Sequence, residues 1–344
     1  MSGGIDSAVA AFLLQQKGYS VSGATMKVCK RTLPDGRDVT LSDIDDAKQI
    51  CQALGIEHKL YYLEEVFKNT VIKNFIDAYL KGETPNPCVV CNNYLKFGRL
   101  LELELENGID YIATGHYAKI EKNADGRFLL KKAKDSKKDQ TYMLYGLSQN
   151  VLSRVLFPLG DLTKSEIREI AAQNRFINAN KGDSQDICFI PDGDYAAFIE
   201  KELGSKYPGG NYVDENGNIL GKHRGIIHYT IGQRKGLGIS MNKHVFVIDK
   251  DFKSNTVTLA DEDKLFKKRV VINNINLIPF DSFDGKIRVE AKIRYSQNVA
   301  PCYAEITGEN EITLEFDTPQ RAPARGQSAV LYDGDTVIGG GIIR

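Results

Sequence analysis

Residues 2–7 read Ser2-Gly3-Gly4-Ile5-Asp6-Ser7 and run straight into an apolar stretch, Ala8-Val9-Ala10-Ala11-Phe12-Leu13-Leu14. Two adjacent glycines let the backbone turn tightly, so that its N–H groups line a phosphate. Ser2 and Ser7 add hydroxyl donors. The start of the helix that follows adds positive potential. Asp6, at that start, is placed either to cap the helix or to help hold Mg²⁺. No Gly-Lys-Ser/Thr follows, so this is not a Walker loop. Loops of this kind grip pyrophosphate, and ATP is expected to leave as AMP and pyrophosphate. The plain alternative is a Ser/Gly turn before a helix. The whole six-residue string with its apolar continuation is much rarer than such a turn.

The second group with chemistry is sulfur. Residues 84–92 read Thr84-Pro85-Asn86-Pro87-Cys88-Val89-Val90-Cys91-Asn92, and a third cysteine, Cys188, stands far off in Asp183-Ser184-Gln185-Asp186-Ile187-Cys188-Phe189. Two prolines are expected to keep the first stretch out of a helix, as a shaped loop. One Cys-x-x-Cys and one distant cysteine fall a thiol short of a four-cysteine zinc site. No histidine lies near either segment in sequence. Three thiolates suit a [4Fe–4S] cluster with one iron left open, or a dithiol that passes sulfur or electrons. Cys51, on an apolar helix face, reads as core. Cys29 and Cys302 read as structural.

These groups need a scaffold, and the pattern supplies one. Residues 1–200 alternate helix and strand signals: helix over 6–16, strand over 20–27, helix from Ser42 with Ile44, Ala47, Ile50, Cys51 and Leu54 on one face, strand over 58–63, helices over 66–80 and 93–105, strand over 111–114. A further helix over 163–173 has Thr163 as cap and Glu166 completing a capping box. The alternation predicts a doubly wound parallel α/β sheet. A phosphate loop ordinarily follows a buried strand. Here the chain begins at Met1, and the expectation is a missing first strand, from a truncated or misassigned start.

Past residue 200 the texture turns to β. Asn216-Gly217 predicts a hairpin between Tyr212-Val213 and Ile219-Leu220. Short strands follow around 245–247, 257–259, 270–272, 287–289, 312–314 and 329–331. The expected organisation is an ATP-binding catalytic domain over 1–200, a small β-rich central domain over 201–268 and a C-terminal β-barrel over 269–344. Thr230 to Gly238 places three glycines around Arg234-Lys235 but opens no helix, so it reads as a tight β-connection.

Lys+Arg and Asp+Glu both number 45, so bulk charge advertises no nucleic acid and any such binding uses local patches. No apolar run approaches a membrane span, and the first residues do not resemble a signal peptide. Six cysteines at uneven spacing make no disulfide framework. Cytoplasm is the expected compartment.

Taken in order, SGGIDS at 2–7, TPNPCVVCN at 84–92, ATGHYA at 113–118, KDQTYMLY at 138–145, GDSQDICFI at 182–190 and YTIGQRKGLGI at 229–239 resemble the tRNA-specific 2-thiouridylases (the MnmA/TrmU family) over essentially the whole chain. The resemblance implies a pyrophosphatase-type (PP-loop) ATP domain, a connecting domain and a barrel. It also implies adenylation of the carbon-2 oxygen of the wobble uridine of tRNA, followed by sulfur transfer. It places Ser2, Gly3, Gly4, Asp6, Ser7, Met26 and Gly115 at the nucleotide, Gly115 because a missing side chain allows close approach. It makes Cys91 the nucleophile facing the base and Cys188 the persulfide carrier. A thiolate serves both roles, so nearby positive charge or a metal is expected to depress the thiol pKa. Members with cysteine at the position of Cys88 resemble the type that holds a [4Fe–4S] cluster, here through Cys88, Cys91 and Cys188. In that case Cys91 and Cys188 are ligands.

The resemblance further implies that Asn86, Pro87 and Cys88 shape the pocket for the flipped base, and that His116, Lys138, Asp139, Gln140, Arg294, Tyr295 and Gln327 face tRNA. The residues themselves add a basic run, Lys131, Lys132, Lys134, Lys137 and Lys138, in a chain with no net charge. A solvated loop is the competing reading of that run. The implied partners are tRNA and a sulfur donor; ATP and Mg²⁺ are the cofactors. Two alternatives stand beside this reading: another adenylating ligase with the same loop, and a tRNA-binding Fe–S or redox module with an inactive ATP site.

Overall fold

The computed structural model describes residues 1–30, 40–176 and 187–344. They form two compact units: one of residues 1–71, 88–193 and 335–337, the other of residues 72–87, 194–334 and 338–344.

The first unit opens with helix α1 (Ile5–Gln16), whose N-cap is Gly4, without a side-chain cap bond. Strand β1 (Gly23–Lys27), helix α2 (Thr40–Ala53) and strand β2 (His58–Tyr62) follow. β1 and β2 are parallel, from Gly23 against His58 to Lys27 against Tyr62. Met1 runs beside β1, where its carbonyl accepts from Thr25 Oγ1 at 2.7 Å.

The segments expected as single helices over 66–80 and 93–105 are more elaborate. Helix α3 (Glu64–Phe67) passes through a π-helical turn, Lys68–Ile72, into α4 (Lys73–Leu80). Helix α5 (Pro87–Val90) continues as a long π-helix, Cys91–Arg99, into α6 (Leu100–Glu106). The Cys-x-x-Cys pair is therefore on a helix and not in the expected loop. Pro87 is the reason: at the first helical position its missing N–H has no partner to lose and its fixed φ suits the helix.

Strand β3 (Ile112–Ala113) and, later, β6 (Val155–Leu156) form a second parallel pair, Ile112 against Val155. Between them lie an antiparallel hairpin, β4 (Lys119–Lys122) and β5 (Phe128–Lys131), and the short helix α7 (Gln149–Leu152). The hairpin is absent from the sequence expectation. Helix α8 (Lys164–Gln173) carries the expected capping box of Thr163 and Glu166. α1 and α8 share one core, Ala8, Val9 and Ala10 with Ile167 and Ala171, and Tyr117 joins it. The alanines of α1 allow the two helices to approach closely, which sets the phosphate loop beside the start of α8.

The second unit holds α9 (Tyr195–Leu203) and a four-stranded sheet ordered β8-β7-β10-β9, from β7 (Gly210–Val213), β8 (Ile219–His223), β9 (Phe246–Asp251) and β10 (Thr256–Ala260). β7 and β8 are the expected hairpin; Thr230 to Gly238 opens no helix. A closed barrel follows, ordered β11-β14-β13-β12-β15-β16 and returning to β11. Its strands are β11 (Phe266–Leu277), β12 (Lys286–Lys292), β13 (Ala300–Gly308), β14 (Glu311–Arg321), β15 (Ser328–Asp333) and β16 (Thr336–Ile343). Alternate residues such as Val270, Ile272, Cys302, Ala304, Ile312 and Leu314 fill it, as period-two patterning requires. Cys302 and Cys51 are both core residues, as expected.

Candidate active site

The phosphate loop is wrapped on itself. Ser7 Oγ donates to the Gly4 carbonyl at 2.9 Å and accepts from the Ser2 amide at 3.2 Å. Gly3 sits at φ +69° with its Cα close under α2: a side chain there would stand 2.5 Å from the Asp43 carbonyl. Gly115 follows the C-terminal end of β3, and Met26 lies half-buried near the end of β1; such strand ends are where parallel sheets take ligands. The close approach that requires glycine at 115 is to the loop itself, since a Cβ would lie 2.8 Å from both Asp6 C and Asp6 Cβ.

Asp6 does not cap α1. Its Oδ1 accepts from Tyr117 Oη at 2.7 Å, and both its oxygens meet the Lys164 ammonium, at 2.8 and 2.9 Å. Neither Tyr117 nor Lys164 was singled out from the sequence. The first stands in the ATGHYA motif and the second directly follows the cap Thr163, so the signal was adjacency to features already read.

Cys88 and Cys91 occupy the first turns of the α5–π-helix run. Cys88 reaches the surface and Cys91 is half-buried. Asn92 Nδ2 donates to the Met143 carbonyl at 2.9 Å, and Asn93 packs on Gly146, so the cysteine helix is seated on the segment carrying the KDQTYMLY motif. Cys188 is exposed, held by the buried Phe189, whose ring meets Phe67 edge-on at 5.5 Å. Residues 182–186 of its motif lie outside the described residues.

Cys188 acts electrostatically on both Cys88 and Cys91. Contrary to expectation, the Cys91 thiol is not depressed. Burial pushes Cys91 up to about 11 and raises Cys88 as well, while the opposing pull of Lys96 is the smaller effect. Lys96 is a further residue that sequence reasoning passed over. In an α-helix, neighbours on one face are i+3 and i+4. The π-helix closes on i+5, and Lys96 is i+5 from Cys91. Only the irregular helix reveals it.

Among the described residues no group of three His, Cys, Asp or Glu side chains stands close enough to hold a metal ion. As placed, the three thiols therefore do not form a cluster cradle.

His116 is half-buried between Phe97 and Phe157, at 5.8 and 5.9 Å, and shares a 2.6 Å hydrogen bond with Thr114 Oγ1. Burial, with Lys96 second, holds it well below its ordinary pKa. It is neutral and meets any ligand as a hydrogen-bonding ring. Asp139 and Gln140 brace the loop: Asp139 accepts from the Ala133 amide (3.0 Å) and Thr141 Oγ1 (2.6 Å), and Gln140 Oε1 from the Tyr117 amide (3.0 Å). In the basic run, Lys131 pairs with Glu121 and Lys134 with Glu166.

In the second unit, Thr84 donates its amide to the Arg325 carbonyl and accepts from Gln327 Nε2, each at 2.8 Å. Gln327 thus anchors the stretch that leads into Asn86 and the buried Pro87. Arg294 Nη2 donates to the Ile231 and Ala322 carbonyls at 3.0 and 2.7 Å, tying down the glycine-rich connection. Tyr295 is exposed beside Lys292.

Comparison with known proteins supplies the remaining observation. Residues 1–192 match the family described as tRNA methyl transferase HUP domain, 196–261 its PRC-barrel domain and 267–343 the aminomethyltransferase beta-barrel domain. The tRNA-specific 2-thiouridylase MnmA of Clostridioides difficile (strain 630) is 49% identical over 100% of this chain and 96% of its own length. Those of Lachnoclostridium phytofermentans and Halothermothrix orenii are each 47% identical over all of this chain and 98% and 97% of theirs. The chain belongs to the tRNA-specific 2-thiouridylase family. The family's three-part order, an HUP α/β domain and then two β domains, is the order of folds seen here. No helix among the described residues is long and apolar enough to cross a membrane.

Proposed function

We propose that this protein is an ATP-dependent tRNA 2-thiouridylase acting on the wobble uridine, with residues 1–200 as catalytic domain, 201–268 as connector and 269–344 as barrel. The observation that carries the reading is the gathering of two chemistries in one compact unit, a pyrophosphate loop and three cysteines drawn from two distant stretches.

A uracil oxygen is a poor leaving group. The carbon-2 oxygen attacks the α-phosphorus of ATP, pyrophosphate leaves into the Ser2–Ser7 loop, and AMP becomes the group to be displaced. Gly3, Gly4, Ser2, Ser7 and the start of α1 supply the donors, with Asp6 as the carboxylate available to Mg²⁺. Met26 and Gly115 border the nucleotide.

A persulfide donor passes its outer sulfur to the Cys188 thiolate, and the donor's own thiolate leaves, so that Cys188 becomes a persulfide. Its terminal sulfur adds to carbon 2, and AMP departs with the C–O electron pair, leaving a C2–S–S–Cys188 linkage. The Cys91 thiolate attacks the Cys188 sulfur, forming a Cys91–Cys188 disulfide and freeing the thiocarbonyl. A dithiol reductant then restores both thiols. Because burial holds Cys91 protonated, its activation waits on closure around substrate, with Lys96 as the available cation.

Cys88, Asn86 and Pro87 flank the target base, with His116 and Lys138 in one unit and Arg294, Tyr295 and Gln327 in the other as tRNA contacts. A [4Fe–4S] cluster on Cys88, Cys91 and Cys188 would be the other use of the same sulfurs, its open iron supplying a site for hydrosulfide. A tRNA substrate and six cysteines without a disulfide framework support the cytoplasm as the compartment.

The test is anaerobic thiolation of unmodified tRNA with ATP and, in separate arms, sulfide or a small-molecule persulfide with a dithiol reductant, read by nucleoside mass spectrometry with the visible absorbance of the same sample. Thiouridine from the persulfide arm without cluster absorbance supports the persulfide route. Thiouridine that tracks iron content moves the chemistry to the cluster. Pyrophosphate release driven by a small amine or carboxylate, and not by tRNA, would replace the reading with a ligase.

A further inference from the structure

The loop carboxylate is neutralised by a lysine for which the scheme above has no role. Lys164 is only 7% exposed. Its ammonium lies against both oxygens of Asp6, at 2.8 and 2.9 Å, and over the Tyr117 ring, 5.8 Å from the centroid. It is the first residue of α8. Two rules are broken there at once. Lysine is rarely buried, and the start of a helix disfavours a cation. Such departures from local preference concentrate at functional sites.

The backbone around Lys164 is fixed while its side chain is long. Thr163 and Glu166 close the capping box, Lys134 holds Glu166 at 2.7 Å, and the Lys164 amide donates to Asp135 Oδ2 at 3.0 Å. The ammonium is thus delivered from a rigid start to the second residue of α1, beside the loop's N–H groups. A carboxylate in that place opposes a bound pyrophosphate unless a cation stands between them. A buried lysine in turn cannot be left alone. One exchange satisfies both.

We propose that Lys164 is a phosphate-binding residue of the nucleotide site, paired with Asp6 while the loop is empty and passing to the β- and γ-phosphate oxygens as Asp6 turns to Mg²⁺. This rests on the reading that the loop binds ATP. The lysine stays paired throughout, and Asp6 becomes the source of the metal requirement.

The experiment is calorimetric titration of the full chain, without tRNA, with MgATP, AMP and inorganic pyrophosphate. Lys164→Met keeps length and packing, Lys164→Arg keeps charge, and Asp6→Asn removes the carboxylate charge. Lys164→Met is expected to weaken MgATP and pyrophosphate about ten- to hundred-fold, the worth of a charged hydrogen bond. AMP, which lacks the outer phosphates, should bind unchanged, and Lys164→Arg should recover part of the loss. Asp6→Asn is expected to bind metal-free pyrophosphate more tightly than wild type and to gain little from Mg²⁺.

Wild-type MgATP affinity in Lys164→Met, or equal losses for AMP and ATP, overturns the assignment, as does weaker metal-free pyrophosphate binding in Asp6→Asn. If Lys164→Met does not fold, the Asp6→Asn arm decides alone. A wild-type chain that binds pyrophosphate but not ATP removes the adenylation reading and leaves Lys164 standing. A wild type that binds neither removes both.

Discussion

Adding one methyl group at Gly115 tests whether the nucleotide loop is positioned as described. The Cβ of Gly115→Ala would stand 2.8 Å from Asp6 C, 2.8 Å from Asp6 Cβ and 3.0 Å from Ser7 N. Carbon atoms rest about 3.5–4.0 Å apart, so the overlap is about 0.7–1.2 Å. Two of the three atoms are main chain and cannot rotate away. Either the first turn of α1 or the segment carrying Thr114 and His116 must shift. The Tyr117–Asp6 bond and the Thr114–His116 bond resist that movement. Overpacking of this kind costs about 1–3 kcal/mol, a fall in Tm of roughly 1–2 °C per kcal/mol in a chain of this size. Displacing the loop by a good part of an ångström should slow tRNA-dependent pyrophosphate release on the order of 10²-fold. The assays are thermal unfolding and MgATP titration beside Gly308→Ala, whose Cβ meets only Glu311 Cβ, at an ordinary 3.4 Å. A Gly115→Ala protein with wild-type Tm, MgATP affinity and turnover would refute the placement of the 113–118 segment against the loop.

Three further outcomes are expected. Tyr117→Phe removes a 2.7 Å bond to Asp6 and keeps the ring; it should weaken MgATP binding about ten-fold with little change in Tm, and unchanged binding would show that the phenol does not orient the loop. With the Cys91 thiol near 11, its alkylation by iodoacetamide should rise about ten-fold per pH unit across the neutral range and be slower in Lys96→Met; a plateau by pH 8, or equal rates in the two proteins, counts against Lys96 as its cation. Lys250 is 3% exposed, and burial lowers it to about 8 from 10.5. Between those values the folded protein is neutral at Lys250 while the unfolded chain is still charged, so stability should climb with pH by up to about 3 kcal/mol. Lys250→Met should flatten that rise in urea titrations, and an identical rise in the variant would assign it to other groups.

Much of the fold was legible because its signals are local. Thr163 and Glu166 mark the start of α8 through a cap that depends on four consecutive residues. Asn216-Gly217 marks the β7–β8 hairpin through the backbone angles that glycine allows. Barrel strands such as β12, with Ile287, Val289 and Ala291, and β14, with Ile312, Leu314 and Phe316, alternate apolar and polar residues, the period a strand imposes. Signals that depend on distant partners were not legible. The β4–β5 hairpin has only four residues on each strand, and the N–H of Phe128, which opens β5, is satisfied by Gln149, which no pattern in the hairpin announces. Pro87 was misread because proline before a helix and proline inside its first turn look alike until the following residues are seen to coil.

At the candidate site the division is sharper. The chain on its own determined the kinds of chemistry, a glycine-serine loop for pyrophosphate and three cysteines for sulfur, because those depend on residue type and short spacing. Folding decided which charges meet. Asp6 was expected at a cap or a metal; it makes no cap of α1 and is joined to Lys164, 158 positions along the chain. The Cys91 thiol was expected to be acidic and is held protonated by burial, with Lys96 opposing from one π-helical turn away. Desolvation and ion pairing depend on what surrounds an atom in space. A sequence orders residues along a line, so it specifies which groups exist, and only the packed chain sets the field each of them feels.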